Sequence, residues 1–164
     1  ALRHVAGLPG MKILQFAYGH DAGNVNLPHF YTPESVAYTG THDNTTTRGW
    51  LEAMPTETAR QICDYFQLDD SRSAWPIIRA ALATVSRLAV IPFQDLLDLP
   101  ASATLNQPGT AQGNWQWRYT DKQMSRLTEE KLATLRQWIT LYDRKGDRTL
   151  RDYSDPPASP PAHS

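Results

Sequence analysis

Thr41, His42, Asp43 and Asn44 stand side by side in YTGTHDNTTTRGW, residues 38–50, where a short apolar segment ends in a glycine. Asp, Asn and Thr are ordinary turn and helix N-cap residues, because their side-chain oxygens accept hydrogen bonds from free backbone N–H groups. An imidazole, a carboxylate and an amide that converge without a Ser or Cys nucleophile also suit two kinds of chemistry. One is metal-assisted hydrolysis, for which His20, Asp21, His29, His42 and Asp43 are the available ligand types. Their spacing matches no metal motif. The other is carbohydrate chemistry, in which planar polar side chains bond vicinal hydroxyls and aromatic rings cover the apolar faces of the sugar.

The chain offers both halves of a sugar site. Phe16, Tyr18, Tyr31, Trp50, Trp115 and Trp117 are the candidate rings, and Asn24, Asn26, Asn44, Asn106 and Asn114 the candidate amides. Core packing is the alternative use of each ring. Trp115 and Trp117 alternate around Gln116, so at most one of the pair is expected near a ligand. Glycosyl transfer with retention needs two carboxyl groups about 5–5.5 Å apart. Asp43 is one carboxylate; Asp21 falls in a loop and Asp95 opens a helix, so no second one stands out.

The elements that must position these residues follow from the hydrophobic pattern. KILQFAY at 12–18 lacks clean alternation, as a parallel strand buried on both faces does. Further strands are predicted at 36–40 and 88–92, and a long loop at 19–35. Pro55 and Glu57 open a helix over 55–67, with Ala59, Ile62, Cys63 and Phe66 on one face. Ser73 caps a second helix over 74–86, whose stripe is Ile77, Ile78, Ala81, Leu82 and Val85. A short helix at 93–97 is followed by a loop over 100–121 and a final helix over 128–142, with Leu132, Leu135, Ile139 and Tyr142 inward.

Strands alternating with helices or long crossovers imply a parallel sheet. Ligands bind at the carboxyl ends of such strands, and Asp21, His42-Asp43-Asn44 and Gln94-Asp95 all follow such ends. Three strands make a poor independent sheet, and the opening ALRHVAGLPG reads as the last turns of a helix. The chain is therefore expected to be a slice of a larger α/β architecture.

The sequence has 164 residues, 40% of them hydrophobic, and a net charge of -1, which suits one globular domain or a piece of one. Near-neutral charge supplies no footprint for nucleic acid and no polybasic stretch for a membrane surface. Cys63 is the single cysteine, so no internal disulfide forms and a Cys-based zinc site is disfavoured. No apolar run reaches transmembrane length, and the expected setting is reducing and cytoplasmic. Residues 144–164, ending DPPASPPAHS, read as a disordered proline-rich tail.

LPGMKILQFAYG, LPHFY, YTGTHDNTTTRGW, RLAVIPFQDLL and LNQPGTAQGNWQWR appear in that order over residues 1–143. Together they resemble the closing part of the 4-alpha-glucanotransferases, the amylomaltases or disproportionating enzymes of glycoside hydrolase family 77. The resemblance implies a (β/α)8 TIM barrel with inserted subdomains, of which this chain is the C-terminal portion, strands six to eight. It implies retaining transfer of α-1,4-glucan segments to glucose or another glucan through a covalent glucosyl-enzyme intermediate. The nucleophile Asp and acid/base Glu of such enzymes lie on the fourth and fifth strands, upstream of this sequence, so the chain alone is expected to be inactive.

The resemblance also assigns roles. Asp43 is the third catalytic carboxylate, bonding hydroxyls of the distorted sugar and favouring the oxocarbenium-like transition state. His42 donates to a hydroxyl of the same sugar, Asn106 contacts substrate, and Phe16 is an aromatic near the mouth of the site. No cofactor and no metal are implied. The partners implied are α-1,4-glucans, maltooligosaccharides and glucose, with no nucleic acid and no membrane. Open strand edges at 12–18 and 88–92 lead us to expect self-association of the truncated chain. Gly19-His20-Asp21 departs from the acidic residues that often follow the first strand in this family. The alternative from another class is a non-catalytic module that binds glucan or a partner chain.

Overall fold

The computed structural model describes residues 6–18, 22–66 and 72–146. Three strands, β1 (Gly10–Ile13), β2 (Ser35–Tyr38) and β3 (Leu88–Val90), form one parallel sheet in the order β1-β2-β3. The register sets Ile13 beside Tyr38 and Tyr38 beside Val90. Helices are α1 (Thr47–Ala53), α2 (Thr56–Phe66), α3 (Trp75–Ala83), α4 (Phe93–Leu96), α5 (Asp121–Met124) and α6 (Glu129–Leu141). All three predicted strands and the four predicted helices are present, with shifted ends.

The largest shift is in β1, which starts and ends earlier than the apolar run at 12–18. After Ile13 the chain leaves the sheet through a 3-10 turn, Leu14–Phe16. Leu14 is fully buried, and the buried Gln15 amide donates to Thr45 O at 3.0 Å. A run of buried residues looked like strand, but the burial here is in a turn. Just past β2 a Cβ on Gly40 would stand 2.5 Å from Gln15 Nε2, so a side chain there would push the Gln15 amide off its bond to Thr45 O.

Two helices were missed. TTTRGW reads as turn chemistry, yet Thr46 caps α1 by accepting from Gly49 N at 3.1 Å, and Trp50 and Leu51 are buried behind it. α5 is a single turn held by a capping box between Thr120 and Gln123. The predicted second helix begins at Trp75 and stops at Ala83, with Ala74 rather than Ser73 at its N-cap. Ser73 Oγ accepts from Trp75 N at 3.2 Å instead, and Ala74 N donates to Asp98 Oδ1 at 2.8 Å. Val85 lies beyond the helix and is exposed. Arg144 closes this end by donating to the carbonyls of Leu82, Ser86 and Thr84.

α3 is apolar on two sides because it separates two cores. Ile77 and Ala81 join Leu14, Ala37, Trp50, Leu51 and Ile62. Ile78 and Leu82 pack with Trp75 against Leu135, Trp138 and Tyr142 of the last helix and its cap. A third cluster, Leu97, Leu99 and Ala103, receives Phe93 and Trp117.

The two faces of the sheet differ. Ala37 is fully buried in the first core, on the face shared with Lys12 and Ala89. Side chains alternate along a strand, so Met11, Val36 and Leu88 share the other face with Ile13, Tyr38 and Val90. On that face Met11 is 59% exposed and Leu88 54% exposed. One side of a parallel sheet is therefore left largely uncovered, which an isolated parallel sheet does not tolerate well.

A close helix contact yields one stability prediction. Gly49 of α1 packs on the turn at Ala101, and a Cβ there would meet Ala101 N at 2.7 Å and Ala101 Cα at 2.8 Å. Backbone cannot swing aside as a side-chain tip can. Gly49→Ala is expected to destabilise the fold by about 1–3 kcal/mol, read as a lowered midpoint in urea unfolding. An unchanged midpoint would mean that the two turns do not approach so closely.

Candidate active site

The carboxyl ends of the strands open onto a cleft of about 750 Å³. Its floor is the uncovered sheet face, through Met11, Ile13, Tyr38 and Val90, and its rim carries Phe16 and the segment 40–46. Residues after the second strand, including His42, Asp43 and Asn44, and after the third, including Gln94 and Asp95, line this cleft. The residues after β1 at 19–21, including His20 and Asp21, lie outside the described residues.

The residues of the 41–46 turn divide their labour. Asn44 Oδ1 accepts from Thr41 N at 2.9 Å and from Thr41 Oγ1 at 2.7 Å, which fixes the turn. Thr46 caps α1. Neither task falls to His42 or Asp43, whose side chains are 52% and 48% exposed and line the cleft. His42 and Asp43 sit in the turn, but the side-chain bonds that hold it come from Asn44 and the helix cap from Thr46, not from the Asp43 side chain.

His42 and Asp43 form a small polar cluster with a third group. His42 Nε2 stands 3.3 Å from Asp43 Oδ1. Asn106 Nδ2 donates to the same oxygen at 2.5 Å, and Asn106 N donates to His42 O at 3.1 Å. The segment that follows β3 and α4 is thereby tied to the turn that follows β2. Asp43 Oδ2 has no protein donor among the described bonds, and Asp43 lines the cleft. The arrangement presents a carboxylate oxygen, an imidazole and an amide within reach of one polyhydroxylated ligand.

Of the expected site residues, the structure brings together His42, Asp43 and Asn106, and puts Phe16 on the cleft wall, 49% exposed. The other amides are spent on their own loops. Asn24 donates to Phe16 O at 2.7 Å, and Asn114 Oδ1 accepts from Gln107 N at 2.8 Å. His29 does not join His42: its Nδ1 lies 2.9 Å from Tyr65 Oη and its ring packs on Phe30. Tyr31 and Trp50 belong to the core, and burial pushes the hydroxyl pKa of Tyr18 and Tyr31 upward.

Sequence reasoning missed Asp95 as a support. It lines the cleft yet is only 1% exposed. Its Oδ2 accepts from Thr39 Oγ1 and Thr47 Oγ1, each at 2.6 Å, and its Oδ1 accepts from Thr47 N at 2.7 Å. Both oxygens accept hydrogen bonds from the protein, so the side chain serves to hold the surrounding segments together. It clasps the two ends of the segment that bears His42 and Asp43. The only signal in the sequence was an acidic residue at a strand end, which helix-opening residues share.

Comparison with known proteins identifies the family. The family model for 4-alpha-glucanotransferase matches residues 1–125. The chain is 39% identical over 144 residues to the chloroplastic/amyloplastic 4-alpha-glucanotransferase of Arabidopsis thaliana, covering 87% of this chain and 25% of that protein. It is 43% identical over 134 residues to the 4-alpha-glucanotransferase of Thermus thermophilus, covering 76% of this chain and 27% of the relative. Its structure matches that of the amylomaltase from Streptococcus agalactiae in complex with acarbose, with a TM-score of 0.79 and 37% identity over 87% of this chain and 28% of that one. The chain spans about a quarter of the length of the curated relatives it matches. A family model covering three quarters of the chain, with the order of motifs and a shared mixed α/β structure with a small parallel sheet, leaves one conclusion: the chain belongs to the 4-alpha-glucanotransferase family.

Proposed function

We propose that this chain is the closing portion, strands six to eight with their helices, of the (β/α)8 barrel of a 4-alpha-glucanotransferase. In that reading the protein moves α-1,4-glucan segments to glucose or another glucan by retaining double displacement. The observation that carries it is the His42–Asp43–Asn106 cluster at the carboxyl ends of parallel strands, above an uncovered apolar sheet face. That face is where further strands of a barrel would close over the floor of the cleft. It also weighs against the alternative of a self-standing binding module, because Met11 and Leu88 would then face water.

The roles follow from chemistry and position. Asp43 accepts hydrogen bonds from hydroxyls of the reacting sugar and opposes positive charge as it develops at the anomeric carbon. His42 donates to the same sugar, Asn106 orients Asp43 and reaches substrate, and Phe16 offers an apolar wall. The nucleophile and acid/base belong to strands that this chain does not supply. Substrates are maltooligosaccharides and longer α-1,4-glucans. The barrel portion is taken to run over residues 1–143 with the tail at 144–164, and Arg144 at the junction donates to the carbonyls of Leu82, Ser86 and Thr84 in the α3–β3 connection. Residues 147–164 of that tail lie outside the described residues. Among the described residues no helix is long and apolar enough to cross a membrane; a reducing, cytoplasmic setting is proposed on the lone Cys63.

Expressed alone, the 164-residue chain is expected to release no glucose from maltotriose at any pH, and to self-associate through the edges of β1 and β3. The full-length enzyme that contains it should release glucose and build longer maltooligosaccharides, and should bind acarbose. Turnover by the pure isolated chain would show that the catalytic carboxylates have been misassigned. A full-length enzyme that leaves maltotriose untouched would remove the glucanotransferase reading.

A further inference from the structure

Trp115 is placed in a way that packing does not account for. Its backbone has φ 62°, in the left-handed region that bulky side chains enter only when their surroundings impose it. The surroundings do impose it. Trp115 N donates to Leu105 O at 2.7 Å, Asn114 braces the loop through Gln107 N, and Arg118 Nη1 donates to Trp115 O at 3.2 Å. The strained backbone leads to a ring that is 55% exposed, where a large apolar side chain gains least from burial. Two residues on, Trp117 packs into the Leu97–Leu99 core instead.

The exposed ring stands beside the reacting groups. Its centroid lies 5.0 Å from that of the His42 imidazole, with the planes 38° apart. Asn106 joins the same loop to His42 O and Asp43 Oδ1, so the ring and the polar cluster are held as one unit. A glucopyranose has an apolar face of axial C–H groups, and an indole face is both apolar and rich in π density. We propose that Trp115 is a stacking platform for a glucosyl unit adjoining the sugar held by His42 and Asp43, and so helps to set how tightly the glucan chain is held. The platform rests on the glucanotransferase reading given above.

The test uses the full-length enzyme with maltotriose and maltopentaose as donors, and the variants Trp115→Ala, Trp115→Gly and Trp115→Phe. Glycine accepts the left-handed backbone without strain, so Trp115→Gly removes the ring and is expected to keep the melting temperature. Loss of the ring should raise KM for both donors roughly five- to tenfold, with kcat within about twofold, as removal of uniform binding does. Trp115→Phe should recover most of the loss. An unchanged KM in Trp115→Gly would overturn the platform. So would a fall in kcat at constant KM, because the ring would then act only by holding His42. Unfolding of both Trp115→Ala and Trp115→Gly would overturn it as well, in favour of a packing role. If the unsubstituted enzyme does not disproportionate maltotriose, the glucanotransferase reading itself falls, which is a different result.

Discussion

In the full-length enzyme, Asp43→Asn is expected to lower kcat by about 10²–10³ and to leave KM for maltotriose little changed. The substitution keeps size and one accepting oxygen but removes the charge. Asn106 can still donate to the amide oxygen, so the link between the two loops survives. A group that opposes charge only as it develops at the anomeric carbon should show its loss in kcat. The competing account, that Asp43 is a turn or cap residue, predicts no loss, because Asn caps as well as Asp. The structure has already given the cap to Thr46 and the turn to Asn44. Stability should therefore change little, since the Asp43 side chain is half exposed and bonds no backbone group in the described structure. Initial rates over a range of maltotriose concentrations, with a thermal melt of the same samples, check both statements. A kcat near that of the unsubstituted enzyme would return Asp43 to an ordinary surface turn.

The parts of this fold that could be read from sequence are those in which one physical cause dominates. β2 and β3 are short apolar runs bounded by turn residues, and both were found within two residues. α2 and α6 show helical periodicity and clear first-turn residues, and both were found. Errors arose where two causes compete. Leu14 and Gln15 are as buried as strand residues but lie in a turn, because burial pattern does not report backbone hydrogen bonding. α1 was hidden by three threonines in a row, whose turn propensity is used once, at Thr46, while Trp50 and Leu51 supply the burial that holds the helix. For the site, His42 and Asp43 stood out by type and by their place after a strand. Asn106 was one of five candidate amides by type, and only the family resemblance singled it out, since its partner lies 63 residues away. Asp95 was noticed and set aside, because nothing local to PFQDLL tells that its side chain turns inward to meet Thr39 and Thr47.

That inward turn supports the second large effect. Asp95→Ala removes the acceptor for two hydroxyls and for the Thr47 N–H at the first turn of α1, all in a buried setting. Stranding donors beside a new void is expected to cost about 3–5 kcal/mol. It should also lower kcat by about 10²-fold, because the clasp fixes both ends of the segment carrying His42 and Asp43, and small misplacements at a reacting centre are that costly. Asp95→Asn should be much milder: its oxygen can still accept from Thr47 N–H, and its amide can donate to hydroxyls that are free to rotate. Burial pushes the Asp95 pKa above its usual value of 3.8, against the pull of the three hydrogen bonds from Thr39 and Thr47. With the folded pKa above the unfolded one, the stability tied to its protonated form is present below 3.8 and is lost as pH rises through the folded value. The stability advantage of the unsubstituted protein over Asp95→Asn should therefore be largest below pH 3.8 and shrink as pH rises toward neutral. Melting temperatures of the two proteins across that range measure it. An advantage that instead grew with pH would show that the hydrogen bonds outweigh burial, and that the clasp is built for the ionised carboxylate.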